Sequence, residues 1–143
     1  MYRTILLPTD GSAPARAALD RALEFAETYD ADLHALYVVD AAAFGHLDPD
    51  ASIIVNGFEA EGRQVLQETA EAAANAGVSC ETAVVHGSPH EGILEYADDH
   101  DVDLIVMGTH GRRGLDRFLL GSVTERVIRG SSVPVLTVRA RED

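Results

Sequence analysis

Two hydrophobic periods alternate along this chain. Short, nearly continuous apolar runs at Arg3–Pro8, Asp32–Val39, Val78–Val85, Asp103–Met107 and Val133–Val138 predict five strands. Between them, apolar residues recur every three or four positions. Ala13–Tyr29 carries Ala15, Ala18, Leu19, Ala22, Ala26 and Tyr29 on one stripe, and Phe58–Ala76 carries Val65, Leu66, Thr69 and Ala73. A third helix is predicted from Ser88, with Ile93, Leu94 and Ala97 inward, and a fourth over Ser122–Gly130. Residues 40–56 have weak periodicity, with Gly45, Pro49 and Asn56, and are expected to form a long loop, either functional or a plain surface excursion.

Boundary residues sharpen these elements. Ser12 or Asp10 can cap the first helix, and Gly77 suits the residue after the second. Ser88-Pro89-His90-Glu91 and Ser122-Val123-Thr124-Glu125 read as capping boxes. Pro134 cannot donate to a ladder, so the last strand is expected at a sheet edge. Alternating strands and helices give an α/β fold: an open five-stranded parallel sheet with helices on both faces and right-handed crossovers. At 143 residues, a single domain over 1–143 is expected.

Composition narrows the setting. Hydrophobic residues make up 46%, as in a folded chain. The sequence lacks any apolar run of about 18 residues, and its start reads as a strand, so no membrane span or leader is expected. Cys80 is the only cysteine, which excludes an internal disulfide, reads as a small buried apolar residue and suits a cytoplasmic location. There are 24 acidic residues against 11 basic ones, all arginine. A net charge of −13 argues against nucleic-acid or anionic-membrane binding. The acidic, lysine-free balance resembles proteins of salt-loving archaea. Without lysine, a Walker P-loop, a protein-kinase strand lysine and a Schiff base are all excluded.

In open α/β sheets, ligands bind beyond the carboxyl ends of the strands, where strand order reverses. The first strand ends in Pro8-Thr9-Asp10-Gly11, and the fourth runs into Gly108, Thr109, His110, Gly111, Arg112, Arg113 and Gly114, leading on to Gly121-Ser122. Glycines admit positive φ and close ligand approach, and a helix start favours an anion. Alternatively, Gly108 and Gly111 only make a turn and Ser122 only caps a helix. Charge placement favours the anion. Residues 108–130 hold Arg112, Arg113, Arg117, Arg126 and Arg129 against two acids, a balance of +3, while the rest of the chain carries −16.

His86 and His90 straddle a strand end and a helix start, which does not make a metal pair. His110 can contact a ligand or shape the turn. Asp10 can cap, bind a ribose hydroxyl or hold a metal. The sequence contains no G-x-S-x-G elbow, no H-E-x-x-H and no G-x-G-x-x-G after the first strand. A phospho-receiver domain would need an acidic cluster and a lysine.

Gly108, Gly111, nine residues and then Gly121-Ser122 resemble the G-x2-G-x9-G-S/T motif of ATP-binding universal stress proteins. Pro8–Ser12, Val102–Gly108 and Val133–Val138 are similar to that family too, so the resemblance spans essentially the whole chain. It implies a Rossmann-like sheet of order 3-2-1-4-5. It implies adenine read by the Val38 backbone beside Pro8, Thr9 and Asp10, with ribose near Asp10 and Gly108. Phosphates would lie along Gly111–Gly114 and against Gly121, Ser122, Val123 and Thr124, accompanied by Mg²⁺ or Mn²⁺. A homodimer would form through Val133–Val138. Arg112-Arg113 stand where smaller or lysine-bearing versions are usual, which would preserve or strengthen phosphate contact or alter nucleotide preference. The function implied is a nucleotide-binding stress or regulatory protein, with ATP as a conformational ligand and at most slow hydrolysis. The alternatives are a metal-dependent ATPase or a phosphoryl or nucleotidyl transferase using Asp10 and His110, and a dimeric interaction module with a vestigial site.

Overall fold

The chain runs β1 (Thr4–Pro8), α1 (Ala13–Tyr29), β2 (Asp32–Val39), α2 (Ala51–Asn75), β3 (Cys80–His86), α3 (Pro89–Asp99), β4 (Leu104–Gly108), α4 (Ser122–Gly130) and β5 (Val135–Val138). The structure is a computed structural model and describes residues 2–40, 51–110 and 120–140, with side chains from 55 onward in the second stretch. Every strand pairing is parallel, and the order is β3-β2-β1-β4-β5, as the alternation and the resemblance implied.

Alternate strand residues face opposite layers. Ile5, Leu7, Leu33, Leu104 and Val106 meet the alanine stripe of α1, Ala18, Ala22 and Ala26. Leu6, Leu36, Ile105 and Met107 meet Ile93 and Ala97 of α3 and Val127 of α4. α2 lays Leu66 over Ala35, Tyr37 and Val39. Ile5, Leu6, Leu7, Leu33, Leu36 and Ile105 are fully buried, and each such side chain contributes about 1.5–3 kcal/mol. The alanines let α1 sit close to β4. Similarly, Gly62 lets α2 sit on β2, since a Cβ there would lie 2.5 Å from the Tyr37 ring. Among the described residues, no helix is long and apolar enough to cross a membrane.

Several expectations are corrected. α2 begins at Ala51, so residues 51–56 are helical and not part of a loop. Val55 and Phe58 pack three residues apart on the β2–β3 core, and that burial carries the helix through Asn56-Gly57 despite their breaker chemistry. Tyr29 is 39% exposed. It belongs to a surface aromatic group with Tyr2 and Phe25, at centroid distances of 5.1 and 6.1 Å. The capping box at α3 does not form, because the Ser88 hydroxyl meets His90 Nδ1 at 3.1 Å. Cys80 is half-buried, and burial pushes its thiol pKa up. Pro134 precedes β5, and its carbonyl accepts from Ile105 N–H at 3.0 Å, so the missing donor costs nothing at this edge.

Candidate functional site

Strand order reverses between β1 and β4, which pair as Ile5↔Leu104 and Leu6↔Ile105. The chain leaves β1 for α1 on one face and leaves β4 for α4 on the other. The two departures open a crevice at the carboxyl end of the sheet.

On the β1 side, the turn is held by its own side chains. Thr9 N–H donates to Leu36 O at 2.9 Å. Thr9 Oγ1 accepts from Gly11 N–H at 3.2 Å, and Asp10 Oδ1 accepts from Ser12 N–H at 3.0 Å. Gly11 has φ +78°, the left-handed region that favours glycine. Ser12 caps α1 by accepting from Ala15 N–H at 3.3 Å. Alternate strand residues aim their backbone groups to the same side. Leu36 O is taken by Thr9 and Val39 O by Gly87 N–H on the opposite side, so the Val38 amide and carbonyl face past the end of β1 at Pro8.

On the β4 side, the glycines are there for close approach. A Cβ on Gly108 would lie 2.7 Å from Pro14 Cβ and 2.9 Å from its backbone carbon. A Cβ on Gly121 would lie 3.0 Å from His110 Cα. Gly121 itself has φ −65° and ψ 154°, and among the described residues the positive-φ glycines are 11, 77 and 87. The expectation of positive φ therefore holds for Gly11 and not for Gly108 or Gly121. Thr109 is buried; its N–H donates to Val138 O at 3.0 Å and its carbonyl accepts from Gly121 N–H at 2.7 Å. His110 Nδ1 lies 3.3 Å from Thr109 Oγ1.

Gly121, not Ser122, is the N-cap of α4, and Ser122 is the first helical residue. The second expected capping box therefore does not form: the N-cap moves one residue back to a glycine, because the bond to Thr109 and the contact with His110 fix 121 in extended geometry. The first bond of the helix is Glu125 N–H to Gly121 O at 3.0 Å. The amides of Ser122, Val123 and Thr124 consequently have no carbonyl one turn earlier, and a glycine cap offers them no side chain. The Thr124 hydroxyl is buried and donates to Gly108 O at 2.9 Å. Glu125, in the first turn of α4, pairs with Arg129 in the last turn at 2.7 Å, so this pair is self-neutralising. Gly111, Arg112, Arg113 and Gly114 lie outside the described residues, as does Arg117.

The structure thus gathers Pro8, Thr9, Asp10, Val38, Gly108, His110, Gly121, Ser122, Val123 and Thr124 at the carboxyl end of the sheet. Sequence reasoning missed Pro14, whose ring fills the place of a Gly108 side chain, and the cross-link made by Thr124. Neither carries a motif. Among the described residues, no group of three or more His, Cys, Asp or Glu is placed to hold a metal. His86 reaches Glu59 at 2.5 Å instead of His90. A cavity of about 320 Å³ lies at the opposite end of the sheet, among Asp98, Asp101, Gly130 and Ser132, with the wrong charge for an anion.

A sequence model described as the Universal stress protein family matches residues 1–139. The chain belongs to the universal stress protein family. Universal stress protein MJ0531 of Methanocaldococcus jannaschii is 40% identical over 141 residues, covering 97% of this chain and 83% of that protein. The solved structure of MJ0577 from the same organism has a TM-score of 0.89 at 34% identity, covering 100% of this chain and 99% of that one. A universal stress protein solved in complex with cAMP has a TM-score of 0.72 at 30% identity, covering 98% of each chain. The order 3-2-1-4-5 is therefore the universal stress protein sheet, and the crevice at its switch point is where this chain's version of that fold can differ.

Proposed function

We propose that this universal stress protein binds an adenine nucleotide, with ATP as a conformational ligand. The observation that carries this reading is the start of α4: three successive amides that have no intrahelical partner and, among the described residues, no capping side chain, facing the switch-point crevice. A family member of 30% identity holds cAMP, which supports an adenine nucleotide as the class. Phosphates lie against the amides of residues 122–124 and the exposed Ser122, and Arg112 and Arg113, with Gly111 and Gly114, supply the chemistry for further phosphate contact. Adenine takes the Val38 backbone groups that face past β1, beside Pro8 and Thr9. Asp10 takes the ribose, at the mouth shared with Gly108 and His110.

A divalent ion fits this donor set only as a partner of the phosphates. Among the described residues, Asp10 is the carboxylate at the end of β1, and a hard cation of this kind is commonly held by one carboxylate, substrate phosphates and water. Mg²⁺ or Mn²⁺ bound there would neutralise phosphate charge.

We further read β5 as the strand of a homodimer. It is one of the two edge strands of the sheet, its residues are half-buried, and Ile128 of α4 is 41% exposed. An apolar edge of this kind is stabilised by pairing with its copy.

Thermal melts in molar salt, which suits the acidic composition, test the nucleotide. ATP with Mg²⁺ at 100 times Kd raises stability by about 2.7 kcal/mol. The absence of any shift at millimolar ATP supports a vestigial site instead. Hydrolysis faster than about 1 s⁻¹, within ordinary enzyme turnover, contradicts a binding-only role.

A further inference from the structure

The Thr124 side chain belongs to the family's phosphate stretch by position, but its chemistry points elsewhere. A phosphate oxygen only accepts hydrogen bonds, and a threonine hydroxyl has a single proton to give. That proton is already given to Gly108 O at 2.9 Å, in a bond spanning sixteen residues of chain. Thr124 is also only 3% exposed.

The bond falls at a significant place. Gly108 ends β4 and is pressed from the other face by Pro14, 2.7 Å from where its Cβ would stand. The next residue, Thr109, accepts Gly121 N–H at 2.7 Å. Two consecutive carbonyls at the strand end therefore hold the start of α4: one takes the N-cap amide, the other the hydroxyl of the third helical residue. Gly121 is seated on His110 by the same closure. Together these contacts fix the direction of the three open amides with respect to the crevice.

We propose that Thr124 is a positioning residue for the nucleotide phosphates, acting through Gly108 and not by side-chain contact with the ligand. This rests on the phosphate-site reading above. Preorganised donors bind an anion without a cost of ordering at the moment of binding, and Thr124 supplies that order.

The test compares the full chain with Thr124→Val, which keeps the shape, and Thr124→Ser, which keeps the hydroxyl. Two quantities are read: hydrogen exchange at the Gly121 amide without nucleotide, and affinity for ATP against adenosine. In Thr124→Val, Gly121 exchange rises and ATP affinity falls, each by about tenfold. Adenosine affinity stays the same, and Thr124→Ser restores both. A loss of ATP affinity with unchanged Gly121 exchange overturns the proposal in favour of direct contact, and no change in either quantity overturns it outright. If Thr124→Val does not fold, the wild-type chain decides by NMR. The Thr124 hydroxyl proton stays protected and unmoved when ATP is added; a large shift or loss of protection contradicts the proposal. If the wild-type chain binds neither ATP nor adenosine, the nucleotide reading fails. The exchange arm then still reports whether Thr124 holds the start of α4.

Discussion

Two helices start at the same crevice and finish their first turns differently. α1 caps its third residue with its own N-cap side chain. Ser12, at φ −71° and ψ 167°, accepts from Ala15 N–H, and Pro14 in the first turn has no N–H to satisfy. α4 starts from Gly121 with nearly the same backbone, φ −65° and ψ 154°, yet its N-cap has no side chain to offer, and among the described residues no group caps the amides of its first three residues. Nearly equal geometry with different capping chemistry separates a helix start that closes on its own side chain from the one proposed to take a ligand. The side chain α4 lacks is also one it cannot easily accommodate, since His110 Cα stands 3.0 Å from the missing Cβ.

Making α4 resemble α1 produces the largest effect. Gly121→Asp supplies both a cap and a negative charge where phosphates are proposed to bind. By calorimetry it is expected to cost ATP at least about a hundredfold in affinity, or about 2.7 kcal/mol, with adenosine far less affected. Equal losses for both ligands would mean that the crevice, and not the cap, was damaged. Gly108→Ala comes next. Its methyl group meets the backbone of Pro14 at 2.9 Å, so urea unfolding should show a loss of about 1–3 kcal/mol. Ser12→Ala opens the first turn of α1 and should cost about 1 kcal/mol, lowering Tm by about 2–4 °C. The ratio of ATP to adenosine affinity should stay as in the wild type, because the phosphates are assigned to the start of α4 and not to that of α1. The smallest effect concerns Cys80, where burial raises the thiol pKa. Alkylation by iodoacetamide at pH 8 should run slower than that of a free thiol and be indifferent to ATP, because β3 begins at the opposite end of the sheet.

The helix and strand order was legible because burial follows periodicity. The alanines at 15, 18, 22 and 26 could face only one layer, and the unbroken run of β4 could only be buried on both sides. The ends were less legible. Asn56-Gly57 carries a local stop signal, and only the distant β2–β3 core, against which Val55 and Phe58 pack, overrides it. Ser88 and Ser122 both had capping sequences. One hydroxyl is drawn to His90 and the other lies a residue inside the helix, for reasons that reside in neighbouring backbone. At the end of β4, the reason for the glycines was not legible in the local sequence. Gly108 and Gly121 make room for Pro14 and His110, contacts between residues far apart in sequence, and not for left-handed turns.

The central claim is that the open start of α4 receives phosphates. Amide chemical shifts during parallel ATP and adenosine titrations test it residue by residue. The account predicts large shifts at Ser122, Val123 and Thr124 with ATP, small ones with adenosine, and little movement at Ala15, whose N–H is already capped by Ser12. If the three amides of α4 stay still with ATP, or move equally with adenosine, the helix start is not the phosphate site.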